Sequence, residues 1–323
     1  GLSLISVVLS PNIGFSAVLV LGQVLMVGFG VIGSRWLATN PDLVDRLLTI
    51  SLISVTLSAI IVLVNSIDVL RAKALFIGFN GTGTLLIFFG GLSLAYLWLQ
   101  PKRWTKPAAL LLYVLLLAAI LATGSRGAFL GYLAMSFLLI GTNKKALALF
   151  VLVIIGTTLV IASDDYYKAR FTRFSVDKNL DRVYIWQASV KMIQDKPLVG
   201  IGPGQFPFLY KEYKVPAEKQ DSVAYAHNIF LQIGAEYGLP ALAVFTILIG
   251  LVTYYGLRLV LTGNVLYKGL FASFVGVMIH QQVDITAWGG NVGSLFWLLS
   301  MLIVSIYGQE KHRMNPTVRS MNC

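Results

Sequence analysis

Four places in the sequence combine chemically capable residue types with positions at the ends of apolar stretches. Thr123-Gly124-Ser125-Arg126-Gly127 joins two apolar spans with almost no loop, so Arg126 opens a transmembrane helix. Two readings fit it. One is a snorkelling anchor at the membrane interface. The other is an anion site, where the planar fork of guanidinium donors is reinforced by the backbone N–H groups of a helix N-terminus. Arg182 stands four residues before Trp186, placed either to reach the same anion or to stay solvated. Ala226-His227-Asn228-Ile229-Phe230-Leu231-Gln232 opens another apolar stretch, and Asn228, Gln232 and Glu236 follow at four-residue steps as one polar stripe. Polar groups at membrane depth are costly unless partnered, which points to a functional cavity. Histidine titrates near neutrality and is the commonest general base; the alternative is a histidine bonded to loop backbone. His280 and Asp284, four apart on one helix face, form the fourth place. An intramembrane ionisable pair is either functional or an interhelical hydrogen bond that fixes packing.

The elements that must position these residues are membrane helices. The chain of 323 residues is 57% hydrophobic and only 12% charged, with a mean hydropathy of +0.77, against roughly 25% charged residues in soluble domains. Nine windows approach the ~20 apolar residues that cross a bilayer: 12–33, 44–66, 78–99, 107–123, 126–142, 146–162, 227–257, 268–284 and 290–307. The opening Leu2–Leu9 reads as the end of a further apolar run, with part of the natural N-terminus expected to be missing. A single cysteine, Cys323, excludes an intrachain disulfide and a thiolate metal cluster, and its tail is not a prenylation box. The net charge of +11 sits in short inter-helix loops without an aromatic-interleaved basic stripe, so no nucleic acid partner is expected.

Lys and Arg in short loops favour the cytoplasmic side. With residues 163–226 placed outside, Arg35, Arg46, Lys102, Arg103, Lys106, Lys144, Lys145, Arg258, Lys268, Lys311, Arg313 and Arg319 fall inside, against Arg71, Lys73 and Arg126 outside. The C-terminus is therefore expected in the cytoplasm. Residues 163–226 carry ten Lys or Arg and eight of the fourteen Asp and Glu, as a folded extracytoplasmic insertion would. The expected division is 1–162, N-terminal transmembrane helices; 163–226, the loop; and 227–323, C-terminal transmembrane helices with a short tail. Within the loop, Val183, Trp186, Val190 and Ile193 recur with the period of one helix face, predicting an amphipathic helix over about 181–195. Lys196-Pro197 ends it, and Gly200-Ile201-Gly202-Pro203-Gly204 follows as a turn without the lysine or spacing of a phosphate loop.

Taken in order, Gly124-Ser125-Arg126-Gly127, Arg182 through Trp186, Pro197 through Gly204, His227-Asn228 through Gln232, and Glu236-Tyr237-Gly238-Leu239-Pro240 resemble the O-antigen ligase and polymerase superfamily of bacterial membrane glycosyltransferases. The resemblance spans about 110–260; the first hundred residues match only as generic membrane helices. It implies an all-α, GT-C-like polytopic bundle of about nine spans or more in the inner (plasma) membrane, with one large, partly helical extracytoplasmic loop. The implied activity is transfer of a glycan from an undecaprenyl-diphosphate carrier to an acceptor, without a nucleotide sugar, cofactor or metal, in cell-envelope polysaccharide or lipopolysaccharide biosynthesis. By the family's pattern Arg126 and Arg182 are linked to the carrier diphosphate and His227 to acceptor activation. Trp186, Asn228, Gln232, His280 and Asp284 join Arg126 and Arg182 as expected substrate-binding residues. The expected partners are the lipid-linked donor, a glycan, lipid-core or protein acceptor, and membrane lipids.

That chemistry is coherent on its own terms. A diphosphate leaving group gains negative charge as the glycosidic bond breaks, and guanidinium groups aimed there stabilise the transition state. The paired carboxylates of a hydrolase are not evident. Ligase-like transfer to a surface acceptor is the first reading, polymerase-like extension of a second carrier-linked glycan the runner-up. A secondary transporter is the alternative of another class, but no pair of broken helices at matching positions and no internal repeat supports it. A non-catalytic scaffold leaves Arg126, Arg182 and His227 without a shared reason to meet. Asn80-Gly81-Thr82 matches a glycosylation sequon but abuts a membrane span, so it reads as chance.

Overall fold

Long runs of Leu, Val, Ile, Ala and Phe with few breakers leave the backbone no partner in lipid except itself, so each apolar window closes its hydrogen bonds as a helix. A computed structural model describes residues 2–67, 72–74, 78–141, 143–165, 167–168, 176–216, 218 and 221–314. Among them there are twelve helices and no strand: α1 (Leu2–Val8), α2 (Ile13–Thr39), α3 (Pro41–Asn65), α4 (Phe79–Leu99), α5 (Thr105–Thr123), α6 (Arg126–Ile140), α7 (Lys144–Ser163), α8 (Val176–Asp195), α9 (Phe206–Tyr213), α10 (Ile229–Val260), α11 (Val265–His280) and α12 (Gly290–Met314). Each of the nine apolar windows falls on one of these helices. Seven helices are long and apolar enough to cross a membrane: α2, α3, α4, α5, α7, α10 and α12. The other two, α6 with 15 residues and α11 with 16, are shorter than the ~20 that a span needs. These two carry Arg126 and His280.

The helix ends gather on two faces. On one lie the start of α2, where Ser16 donates to the Pro203 carbonyl at 2.7 Å, and the end of α5, where the Ala122 carbonyl accepts from Ala72 N–H. The start of α10 joins them, its Ile229 N–H donating to the Gln281 carbonyl beyond α11. On the opposite face the end of α12 reaches the end of α2, Gln309 donating to the Ala38 carbonyl. With successive helices alternating in direction, Arg35 near the end of α2, Lys102 between α4 and α5, Lys106 and Lys145 at the starts of α5 and α7, Arg258 near the end of α10 and Lys268 at the start of α11 fall on that second face. Of the loop cations assigned above, Arg71 and Arg319 lie outside the described residues.

The centre of the bundle is α4, α6 and α11, packed through small residues. A Cβ added to Gly276 of α11 would lie 2.7 Å from the Gly131 carbonyl oxygen of α6 and 2.7 Å from an Ile87 methyl of α4. Gly269 faces the Gly91 carbonyl in the same way, and Gly83 faces Ala128. With no hydrophobic drive between helices in lipid, close backbone approach supplies the association through van der Waals contact. Leu86, Ile87, Leu116, Tyr132, Met135 and Phe274 fill what remains of this core.

Ile185, Ala188, Met192, Ile201, Phe206 and Tyr210 form a second, smaller core that Ala235 of α10 completes. The amphipathic helix is present as α8, starting at Val176 and ending at Asp195 before Lys196-Pro197. Its buried face differs from the expected one. Val183 and Val190 are 40% and 42% exposed, while Ile185, Ala188, Ser189 and Met192 are buried. Ala188 and Ser189 are small enough to let α8 approach α10 closely, so tertiary packing selects the face with less apolar area.

Gly276→Ala is expected to lower stability by about 1–3 kcal/mol through overpacking, read as a lower melting temperature in detergent. Gly28→Ala, with nothing within 4 Å of the new methyl, should leave melting unchanged.

Candidate functional site

The site is held together by a kink in α10. Gly238 has φ 83°, and Pro240, two residues on, has no N–H to donate to the Glu236 carbonyl. The turn that follows α8 satisfies the freed groups: Ile201 N–H donates to the Ala235 carbonyl at 2.8 Å, Gly202 N–H to the Glu236 carbonyl at 3.1 Å, and Leu239 N–H to the Pro197 carbonyl at 2.7 Å. The approach is close enough to demand glycine on both sides. A Cβ at Gly200 (φ 71°) would meet the Glu236 carbonyl, and one at Gly238 would lie 2.6 Å from the Leu198 carbonyl. Glu236 itself is buried and accepts the Phe206 N–H with its carboxylate at 3.3 Å, tying α9 to the same point.

This lock fixes the first turns of α10, and Asn228 fixes its start. The Asn228 side chain caps the helix, accepting from Phe230 N–H at 3.0 Å and Leu231 N–H at 3.1 Å, and donates to the Gln282 carbonyl. Gln232 is buried and accepts the Ala226 N–H at 2.7 Å. Between them His227 has φ 54°, the one positive φ outside glycine among the described residues. Left-handed backbone in a non-glycine residue is strain that persists only where the surroundings enforce it, and it concentrates at functional sites. Here hydrogen bonds at 226, 228 and 229 enforce it.

His227 faces the end of α11. Its Nδ1 lies 3.8 Å from Asp284 Oδ2, beyond hydrogen-bond length and within ion-pair range, and has no hydrogen-bond partner. The Tyr225 ring stands edge-on to the imidazole, with centroids 4.6 Å apart. Asp284 is buried, accepts the Ile285 N–H at 2.8 Å and accepts from the Asn80 side-chain amide. His280, also buried, pairs its Nδ1 with Thr84 Oγ1 at 2.8 Å and its Nε2 with Ser125 Oγ at 3.4 Å. Thr84 continues to Thr286 Oγ1 at 2.6 Å, which accepts from Gln281 at 3.0 Å. The cluster thus runs from His227 through Asp284, Asn80, Thr84 and His280 to Ser125.

Ser125 leads to the first arginine. It caps α6 by accepting the Ala128 N–H, so Arg126 is the first residue of that helix. On its other side, a Cβ at Gly127 would lie 2.8 Å from the His280 ring. Arg126 is therefore bracketed in sequence by two residues that touch His280. The second arginine, Arg182 near the start of α8, lies within electrostatic reach of both His280 and Tyr225. Burial pushes the Tyr225 phenol up from its usual value and the Asp284 charge adds to this, while Arg182 opposes it. Trp186, one helical turn beyond Arg182, borders a shallow depression of about 380 Å³ with Val183, Val190 and Val215; its buried indole N–H has no hydrogen-bond partner. A larger cavity, about 580 Å³, lies at the opposite end of α4, α6 and α11, away from this cluster.

Of the residues read from sequence, the structure brings His227, His280, Asp284 and the start of α6 together, with Arg182 bearing on the same cluster. It gives Asn228 and Gln232 local backbone partners that hold His227, and it sets Trp186 in the depression beside α8. Sequence reasoning named Asn80 only within a chance sequon and Ser125 only as part of the motif around Arg126, and passed over Thr84, Tyr225 and Thr286. Asn80 and Thr84 carried a usable signal, being polar and four apart on an apolar helix; Thr286 and Tyr225, in irregular loops, carried none. The Asn80 side chain is taken by Asp284, which gives its polarity a packing reason.

A polytopic helical protein with a buried histidine, a half-buried histidine and a buried carboxylate gathered at the end of its bundle where α6 begins is a membrane protein with a built polar site. Residues 111–246, from α5 to the middle of α10, match the family described as O-antigen ligase. That stretch contains every motif on which the resemblance rests, and over it the chain is similar to the O-antigen ligase superfamily. The match supports an O-antigen ligase-like membrane glycosyltransferase and lends nothing to a transporter. No curated protein matches the chain.

Gly238→Ala combines a strained φ with a collision against backbone, so the lock on α10 should open. The expected result is faster proteolysis within 196–228 in detergent-solubilised protein. Gly250→Ala, on the same helix with nothing near the new methyl, should cleave at the wild-type rate.

Proposed function

We propose that the protein transfers a glycan from an undecaprenyl-diphosphate carrier to an acceptor on the extracytoplasmic side of the plasma membrane, in the manner of an O-antigen ligase. The observation that carries this reading is the His227–Asp284 pair, 3.8 Å apart, in the cluster that also takes in Ser125, the cap of the helix that Arg126 opens. Asp284 faces Nδ1 of the imidazole, which favours the tautomer whose Nε2 accepts a proton. Nε2 of His227 takes the proton from the acceptor hydroxyl as its oxygen attacks the anomeric carbon. The bond from that carbon to the diphosphate oxygen breaks, and its electron pair leaves with the diphosphate. Arg126 and Arg182 stabilise the charge that develops there, with the N-terminus of α6 adding backbone N–H groups. Asp284 holds the imidazolium that forms. Trp186 offers a flat apolar face beside Arg182 for part of the donor or acceptor.

Orientation follows the charge distribution. The helix ends opposite the cluster carry most of the short-loop Lys and Arg, which supports a cytoplasmic assignment for them and leaves the cluster and residues 163–226 outside. A lipid diphosphate there lies at the level of the outer headgroups, where the starts of α6 and α10 meet.

The test incubates purified protein with an undecaprenyl-diphosphate oligosaccharide and, separately, with lipid-core, carrier-linked glycan and peptide acceptors. His227→Ala is expected to slow transfer by roughly 10²–10⁴-fold, the usual contribution of a general base. Arg126→Ala and Arg182→Ala should each cost roughly 10²–10³-fold, as loss of one charge-stabilising donor does. Full activity in all three variants would overturn the site, and consumption of the donor only with a second carrier-linked glycan would assign polymerase rather than ligase chemistry.

A further inference from the structure

The 580 Å³ cavity at the far end of α4, α6 and α11 is unlike the site above. Its walls are apolar, with Leu94 from α4, Leu139 from α6 and Phe150 from α7, and three ammonium groups stand at it: Lys106, Lys145 and Lys268. No Asp or Glu is among the residues that line it. The volume is within the roughly 300–1,000 Å³ of ordinary ligand sites. It is open because α7 packs only lightly, against α6, and leaves most of its surface exposed.

Two of the lysines are held in place without carboxylates. Lys106 donates to the Trp98 carbonyl at the end of α4 and stands 4.7 Å over the Trp98 ring. The Lys268 ammonium reaches Gly141 at the end of α6, where a Cβ would lie 2.5 Å from its Nζ. Lys145, the second residue of α7, stands at the cavity beside them and is exposed. An apolar slot between helices, edged by three cations with no Asp or Glu among its described lining residues, is complementary to a molecule with acyl chains and a negative head.

From this we infer that the cleft binds an anionic phospholipid of the leaflet on that face, its acyl chain between α6 and α7 and its phosphate at Lys106, Lys145 and Lys268. Basic pockets between transmembrane helices on the cytoplasmic side bind acidic head groups by the same physics. The cleft lies one length of α6, about 22 Å, from Arg126, so it is a separate site. The inference does not rest on the transferase reading.

Delipidated protein in detergent, titrated with phosphatidylglycerol or phosphatidylcholine and read by native mass spectrometry, tests it. Phosphatidylglycerol is expected to bind at least tenfold more tightly. The triple change Lys106→Gln, Lys145→Gln, Lys268→Gln should weaken it roughly a hundredfold, at about fivefold per lysine. Lys145→Gln alone, at an exposed position, gives that fivefold step if the triple variant melts early. Ala146→Trp fills the slot while keeping every charge and should also abolish binding. Equal affinity for the two lipids overturns the inference, as does wild-type binding by the lysine variants or by Ala146→Trp. A photoreactive residue at position 110 should label lipid; labelling of a second copy or of another segment of this chain overturns the occupant.

Discussion

The backbone exchange between α10 and the turn after α8 is the constraint on which the rest of the site depends. A proline and a left-handed glycine break the ladder of a helix that is otherwise apolar, and broken ladders are intolerable in lipid unless something re-satisfies them. The segment Pro197–Gly202 does so with three backbone hydrogen bonds. The consequence is structural in two directions. The insertion is stapled to the bundle at a point fixed to within a hydrogen-bond length, and the first turns of α10 are set at an angle independent of the rest of that helix. Arg182 and His227, one on each side of the staple, inherit their relation from it.

The second constraint is steric. Gly131 and Gly276 let α6 and α11 touch backbone to backbone, and Gly127 lets the His280 ring lie against the first turn of α6. Without that approach the imidazole could not reach Ser125 and Thr84 at once. The two helices are also the short ones, so their ends, with four unsatisfied backbone groups each, fall where polar side chains are needed to meet them. Ser125 and Asn228 accept backbone N–H groups at the starts of α6 and α10, and Asp284 accepts the Ile285 N–H in the loop after α11. The polar cluster thus joins the caps of two helix starts to the loop that follows α11, and gives them ionisable neighbours.

This explains what was legible in the sequence. The helices were, because an apolar run in lipid has one structural outcome. Gly200–Gly204 and Gly238-Leu239-Pro240 announced themselves as breakers, but nothing in either announced that each satisfies the other's backbone. The apolar stripe of α8 pointed to Val183 and Val190, whereas packing against α10 buries Ala188 and Ser189, since closeness of approach counted for more than side-chain size. Asn228 and Gln232 read as lining a cavity because their spacing placed them on one face. Spacing cannot distinguish a side chain that meets a ligand from one that meets its own backbone two or six residues away. His280 and Asp284 read as a pair, and the structure makes them neighbours in a wider cluster whose other members, Asn80 and Thr84, come from a helix two hundred residues earlier.

Within that cluster the quality of the contacts is uneven, and the unevenness is informative. His280 has partners on both ring nitrogens and is enclosed; a residue so placed transmits position but has no open valence for a reactant. His227 is strained at its backbone, a quarter exposed, and 3.8 Å from the carboxylate it faces. A buried network normally closes every such gap, because a buried polar atom without a partner costs about 1–3 kcal/mol. The hydrogen bonds at 226, 228 and 229 hold the imidazole out of that contact. Of the two histidines, His227 is therefore the one whose ring the network leaves uncommitted, which is why the proposed reaction is placed on it rather than on His280.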